Sequence, residues 1–473
     1  MYVIMDGARG EMHDVEEATE SSLLKLGAGA SIAGSVSGEA EEPEVCIRFE
    51  DEEDGARFVR VLVTLQWCML VYIMATAVTI CSSNYTKHAS KMDAVLLTMD
   101  IMTIDISSCF FVLGGYVSTY VYSSVGHEMW GEVRKRVVAQ QFGNMWVSTV
   151  LCLLFGSIDK ALKHRLHAKD AVLTLVEGIT GLRVFDAKQS VDEPHTFNVS
   201  MWPVQSFVWC LLSVHGTYRT NEYLRSKFGD VANYIISGMG LCGITLFTLF
   251  GMLHSNTNVF YANATSIMYR MLEFNLGVHA FYLLERSYTL LVGLTRILAQ
   301  IQPVMYAVFV ATWWSEIGVT GETDTKICLR LYPRNNCLRD HHAFLLRGCV
   351  LGLTVMSSVQ KAPKLESGAA DVVAKAVKDT RVLATCVAMS WSAYVITQLV
   401  FEMTFSPALV FENGALMSLL MPAILYATCF VYTHSVQTAV TDVVEAAGRR
   451  VEGVVSNCFN AVCGSVLGPT ESA

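Results

Sequence analysis

Ten apolar segments, each near the length of about 20 residues that carries a helix across a bilayer, organise this chain. They lie at 58–81, 100–123, 143–158, 201–217, 232–253, 267–285, 288–315, 342–360, 382–405 and 413–436. The composition agrees: 52% of the residues are hydrophobic, 16% are charged and the mean hydropathy is +0.40. Those values are too apolar for a soluble globule of this size. The expected fold class is all-α: a polytopic membrane helical bundle of about ten transmembrane helices.

Charge divides the chain. Residues 1–54 hold 15 acidic and 3 basic side chains, whereas the remainder sums to +3. The overall acidity therefore belongs to the N-terminal tail, and it argues against nucleic acid as a partner. Residues 1–53 read as an acidic, disordered cytosolic tail with a short helix around Glu16–Leu26. Residues 54–436 form the membrane domain. Residues 437–473 form an amphipathic tail, with Val440, Val443, Val444, Ala447, Val451, Val454 and Val455 at helical spacing and Arg449 and Arg450 toward lipid headgroups. Cys458 and Cys463 in that tail are candidates for acylation. The first thirty residues lack a basic region followed by an apolar core, so the first span is expected to act as the targeting signal.

With the N-terminus in the cytosol and sides alternating, the even connections are cytosolic. They carry Arg134, Lys135 and Arg136, then Arg219, Arg225 and Lys227, then Arg286, then Lys361, Lys364, Lys375, Lys378 and Arg381. This satisfies the positive-inside rule, and the basic residues at 160–188 fall in a long connection that counts for less. Both termini are then cytosolic. The sequons at Asn84, Asn198 and Asn263 all fall on the opposite side, where glycosylation occurs. Cys328 and Cys337 also fall there, between spans seven and eight. On the oxidising face of a secretory membrane a disulfide would close that loop, and two free thiols are the alternative. The expected location is an endomembrane or the plasma membrane. The other cysteines read as small buried hydrophobes. No Cys-x-x-Cys pair or Cys/His cluster has metal-ligand spacing, so no metal is expected.

Polar groups inside the apolar segments mark the candidate site. Arg270 and Glu273 fall three apart on one helix face and can neutralise each other. Ionisable groups at membrane depth face a bundle interior or a water-filled cavity. The reading is open between a structural ion pair and a polar site within the bundle. Asp105, in an apolar run beside Gly114 and Gly115, needs a cationic partner such as Arg57 or Arg270, or a raised pKa. Asp100, Arg296 and Glu402 also fall at membrane depth, and this set is what suggests a transporter. No internal repeat, inverted symmetry or phosphate-binding glycine loop supports that class.

Four blocks in order resemble the acyltransferase-3 family of multi-span enzymes. Asp54-Gly55-Ala56-Arg57 precedes the first span, as Asp-Gly-Leu-Arg does in the family. Ile104-Asp105, followed after a three-residue insertion by Phe110-Phe111-Val112-Leu113-Gly114-Gly115-Tyr116, is similar to the second block. Arg134-Lys135-Arg136 occupies the place of a basic cluster. Arg270 to Gly277 resembles Arg-x-x-Glu-Phe-x-x-Gly. The chain is thus identified as a divergent or degenerate member, over about residues 54–436. The resemblance implies transfer of an acyl group from acyl-CoA, the expected donor, to a carbohydrate or lipid hydroxyl.

Departures from the family accompany it. The family's essential His, about fourteen residues after the opening Asp, is here Cys68. The Trp-Ser-x-Ser-x-Glu block is reduced to Trp202-Pro203-Val204-Gln205-Ser206-Phe207, without its Glu. The Pro that follows the basic cluster is absent.

Acyl transfer needs a base for the hydroxyl and donors for the oxyanion. His215 and His279 are alternative bases, with a structural imidazole as the other reading of each. Cys68 would need a neighbouring cation to act as a nucleophile, and is otherwise a buried apolar thiol. Arg134, Lys135 and Arg136 would clamp the phosphates of acyl-CoA or serve as a topology signal. Arg57 and Arg296 complete the candidate cofactor-binding set. If the chemistry is lost, a pseudoenzyme would remain that binds lipid or organises partners in a membrane complex.

Overall fold

Glycine decides where the longest helices of this chain turn. The computed structural model describes residues 23–26, 45–48, 52–83, 90–162, 168–182, 202–254, 267–284, 369–404 and 414–467. From Glu52 onward every described element is helical: α1 (Glu52–Ser83), α2 (Ser90–Leu162), α3 (Ala168–Thr180), α4 (Trp202–His254), α5 (Ile267–Leu284), α6 (Ala369–Thr404), α7 (Gly414–Ser435) and α8 (Gln437–Leu467). Within α2, Gly126 has φ 77° and ψ 172°. Within α4, Gly229 has φ 76° and ψ 178°. That backbone region is essentially closed to residues with a side chain. Phe110 and Gln141 line one cavity, yet a straight helix would hold them roughly 46 Å apart. The two arms of α2, 90–125 and 127–162, therefore fold back on each other at Gly126.

The predicted spans map onto these elements with two joins. Spans two and three are the two arms of α2, and spans four and five are joined in α4. Arg134, Lys135 and Arg136 consequently sit within helix rather than in a loop. Two described helices, Gly55–Ala77 and Met129–Ile158, are long and apolar enough to cross a membrane. Spans seven and eight, Arg296, the three sequons, Cys328 and Cys337 lie outside the described residues. Ahead of the helical body, Leu23–Leu26 pairs antiparallel with Val45–Arg48, Leu23 opposite Arg48. The helix expected around Glu16–Leu26 is thus replaced at its end by a strand, and the tail expected to be disordered contains this short ladder. Apart from Lys25 and Arg48 its residues are apolar, and Val45 and Ile47 are β-branched, which suits a pleated pairing.

The second arm of α2 buries polar as well as apolar side chains and, toward its C-terminal half, exposes apolar ones. Gln140, Asn144 and Ser148, one helical turn apart, are buried. Val150 and Leu154 are exposed at 58% and 55%. A water-facing helix shows the reverse pattern. The inward polar groups pair across the bundle: Asn144 donates to Thr385 at 3.4 Å and Ser148 to Ser392 at 3.3 Å. Both partners advance together, so this arm and α6 run in the same direction. The first arm runs parallel to α4 as well. Phe110 meets Phe207, Ser118 meets the Tyr218 hydroxyl at 2.8 Å, and Tyr122 bonds to Glu222.

Helix α8 is docked rather than free. Its Val440 and Val444 pack where Gly143 leaves α2 bare, and Gln437 and Thr441 are buried beside them. Val443 and Val451 remain exposed, and Arg449 pairs with Glu445 at 3.6 Å. The helix expected from the periodicity is present, with part of one face spent on α2.

Candidate functional site

The two glycine-bearing stretches singled out in the sequence meet each other. A Cβ on Gly115 would stand 2.0 Å from the Phe274 carbonyl oxygen. One on Gly277 would stand 1.9 Å from the Val112 carbonyl oxygen. Each helix thus supplies the gap the other's backbone occupies, the small-residue packing that brings apolar helices into close contact. Tyr116 and Tyr120 rest edge-on against Phe281 farther along. With Ser108 and Phe111 against Arg270, the order of contacts makes α2 and α5 parallel here.

This crossing buries Arg270 completely. Its Nη1 lies 2.5 Å from Glu273 Oε2 and donates to Ser108 Oγ at 2.8 Å. The guanidinium also stands 4.9 Å from the Trp202 ring centre and 5.3 Å from that of Phe111. Pairing and ring faces together offset the cost of removing a cation from water. The ion pair expected from the i, i+3 spacing therefore forms. Trp202, which entered the sequence only as the remnant of an imperfect motif, covers it.

Beside this pair lies a cavity of about 120 Å³ between α1, α2, α4 and α6. One wall is apolar: Leu62, Leu65 and Met69 from α1, Phe110 and Val117 from the first arm of α2, and Val204, Phe207 and Leu211 from α4. The second arm of α2 and α6 complete the lining, with Val133, Val137 and Val377 beside Arg134, Gln140, Gln141, Thr380 and Arg381. Trp130 also lines it and is buried. Its indole nitrogen has no hydrogen-bond partner among the described residues. Phe110 is next in sequence to Phe111, and Phe207 lies edge-on to Phe274 with centres 5.9 Å apart. These rings separate the cavity from the Arg270 pair.

A buried polar node holds the α6 end of the lining. Arg381 donates from Nε to Gln437 Oε1 at 2.6 Å. Gln437 in turn donates to Asn144 at 2.9 Å and to Thr385 at 3.0 Å. Every hydrogen-bonding group of the Gln437 amide side chain finds a partner, as a buried network requires. Sequence reasoning counted Arg381 as a topology charge and passed over Gln437 altogether. No local spacing signals either role, because the partners come from three separate helices.

The other candidates are dispersed. Arg134 lines the cavity. Lys135 is exposed and pairs with Glu132 at 3.3 Å, and Arg136 is half-buried on the same helix. Cys68 is half-buried on α1, packed on the core, and is not among the cavity-lining residues. His215 on α4 and His279 on α5 are half-buried and likewise off the lining. His279 follows Arg270 by nine residues, about half a turn around the helix from it. Arg57 is half-buried in the first turns of α1. Asp105 falls within α2, and its side chain lies outside those described. Among the described residues no group of three or more His, Cys, Asp or Glu is placed to hold a metal ion.

No protein-family model, curated protein or solved structure matches this chain.

Proposed function

We propose that this chain is a ten-span membrane protein, with both termini in the cytosol, that takes an acyl chain into its helical bundle. The observation that carries the reading is the cavity, lined mainly by apolar side chains from four helices and reached by Arg134 and Arg381. Concave apolar space with a few placed polar groups is the usual form of a small-molecule site. The exposed apolar side chains of the second arm of α2, Val150, Leu154 and Ile158, support lipid around the bundle.

The helix directions support the span count. In the ten-span scheme the first arm of α2 is span two, and α4 and α5 open spans four and six. All three are even, and they run parallel. The second arm of α2 and α6 are spans three and nine, both odd, and they also run parallel. Alternation requires same-parity spans to share a direction. An even number of crossings between α5 and α6 is therefore needed, and the apolar segments 288–315 and 342–360 supply two.

The test is labelling of the purified protein by a photoreactive fatty-acyl probe. Val137, half-buried on the cavity wall, is replaced by Trp to fill the space. Wild type should be labelled, and Val137→Trp should lose most of the label while keeping its melting temperature within a few degrees. Equal labelling of both proteins, or none of wild type, would sink the reading.

Acyl transfer from acyl-CoA to a carbohydrate or lipid hydroxyl is the second reading. It is favoured by the cavity's approach, through Phe110 and Val204, to the rings around Arg270. Acceptor-dependent release of free thiol from acyl-CoA would establish it. The absence of such release with carbohydrate and lipid acceptors, under conditions where the acyl probe binds, would leave binding alone.

A further inference from the structure

Two cations stand at a cavity whose lining is otherwise mainly apolar. Arg134 and Arg381 both line it, and among the described lining residues there is no carboxylate. Arg134 makes no hydrogen bond or ion pair among the described residues. The register set by Asn144 and Thr385 puts Arg381 level with Gln140, six residues beyond Arg134. The two cations are then separated by about 9 Å along the helix axis. Long guanidinium side chains close such a gap around one anionic group, and they bind carboxylates and phosphates through paired donors. The Trp130 indole N–H, buried at the same cavity without a partner among the described residues, is a donor that a ligand oxygen would satisfy.

We infer that the cavity takes an amphiphile with an anionic head held by Arg134 and Arg381, and that Gln437 positions Arg381 for this task. The inference rests on the acyl-chain reading above and names the head group that reading leaves open. Gln437 is the first residue of α8, and its side chain is locked by Asn144 and Thr385. It accepts from Arg381 Nε and so fixes the plane of the guanidinium. Through this bond α8 belongs to the binding site although none of its described residues lines the cavity. Carboxylate and phosphate heads share the chemistry that the two arginines recognise.

The experiment uses the full chain in nonionic detergent with a bound fluorescent hexadecyl probe. Palmitate, hexadecyl phosphate and hexadecanol are compared as displacing ligands. In wild type the two anions should displace the probe roughly tenfold better than the alcohol, the size of one charge-assisted hydrogen bond. Arg134→Gln and Arg381→Gln should each bring the anions down to the level of the alcohol while the alcohol itself is unchanged. The better of the two anions identifies the head group as carboxylate or phosphate. Gln437→Leu should lower the preference for anions and leave the alcohol as it was. A merely structural role for Gln437 would weaken all three ligands together, which would remove it from the site.

Arg134→Gln lies outside the Gln437 network and keeps the head-group assignment testable if the α6 or α8 variants fail to fold. Equal displacement by all three ligands in wild type would overturn the anionic head and leave the acyl-chain reading standing. Failure of the probe to bind would take both down.

Discussion

At Arg270 a full positive charge is held without contact with solvent, and its neighbours show how. Glu273 supplies the counter-charge, Ser108 an acceptor, and Trp202 and Phe111 their ring faces. Breaking a buried pair from one side strands the other charge, which costs about 3–5 kcal/mol. Arg270→Ala and Glu273→Ala should therefore each destabilise the fold by about that amount. The double variant should fall short of the sum by more than about 1 kcal/mol, read from unfolding in detergent. Additive losses would mean that the two groups do not depend on each other. The pair itself was legible because both members lie within one turn of one helix. Its surroundings were not. Ser108, Phe111 and Trp202 come from other helices, and only the tertiary crossing brings them in. The same holds for Arg381 and Gln437. A single-sequence reading sees the first as one basic residue among several, and it sees the second as a polar residue at the head of a tail.

Among the elements, glycines act in three distinct ways, and substitution separates them. At Gly115 and Gly277 a methyl group would strike a carbonyl oxygen of the partner helix. Ala at either site should force α2 and α5 apart and cost about 1–3 kcal/mol. Gly126 faces open space, but its positive φ strains any side chain. Gly126→Ala should cost about 1–3 kcal/mol through the backbone alone. Gly131, helical and with nothing near its would-be Cβ, is the control. Ala there should stabilise by about 0.5–1 kcal/mol. Thermal unfolding of the four variants in one detergent gives the comparison. A neutral Gly126→Ala would show that the reversal of α2 does not depend on that conformation. The helices at predicted spans one to six, nine and ten were legible because a run of some twenty apolar residues permits little else but helix. The turns between their pairs were not, since Gly126 and Gly229 replace the loops that a span list implies. Helix α3 escaped because thirteen residues are too few for a span. Its packing depends on Gly178, where a Cβ would meet the Thr149 side chain.

For the molecule as a whole, helix direction carries information that hydropathy does not. Hydropathy assigns membrane-crossing length and composition to Gly55–Ala77 and Met129–Ile158. The parallel pairings tie α4 and α5 to the first arm of α2, and α6 to the second. They constrain the relative orientation of helices whose polar groups face one another inside the bundle. The ten-span scheme then places Lys227, after the first half of α4, and Lys378, early in α6, on the cytosolic face. It places Lys169, on α3, on the other face. Single cysteines at these positions, in a background with reactive native cysteines replaced by serine, report this directly. In sealed vesicles with the cytosolic face outward, an impermeant maleimide should modify Lys227→Cys and Lys378→Cys at once. Lys169→Cys should react only after the membrane is opened. Lys227→Cys and Lys378→Cys on opposite faces would mean one crossing too many or too few between them, and the ten-span count would be wrong. All three reacting together in sealed vesicles would remove the second arm of α2 and the first half of α4 from the membrane. The cavity would then face water rather than lipid, and an acyl chain would have to reach it from solution.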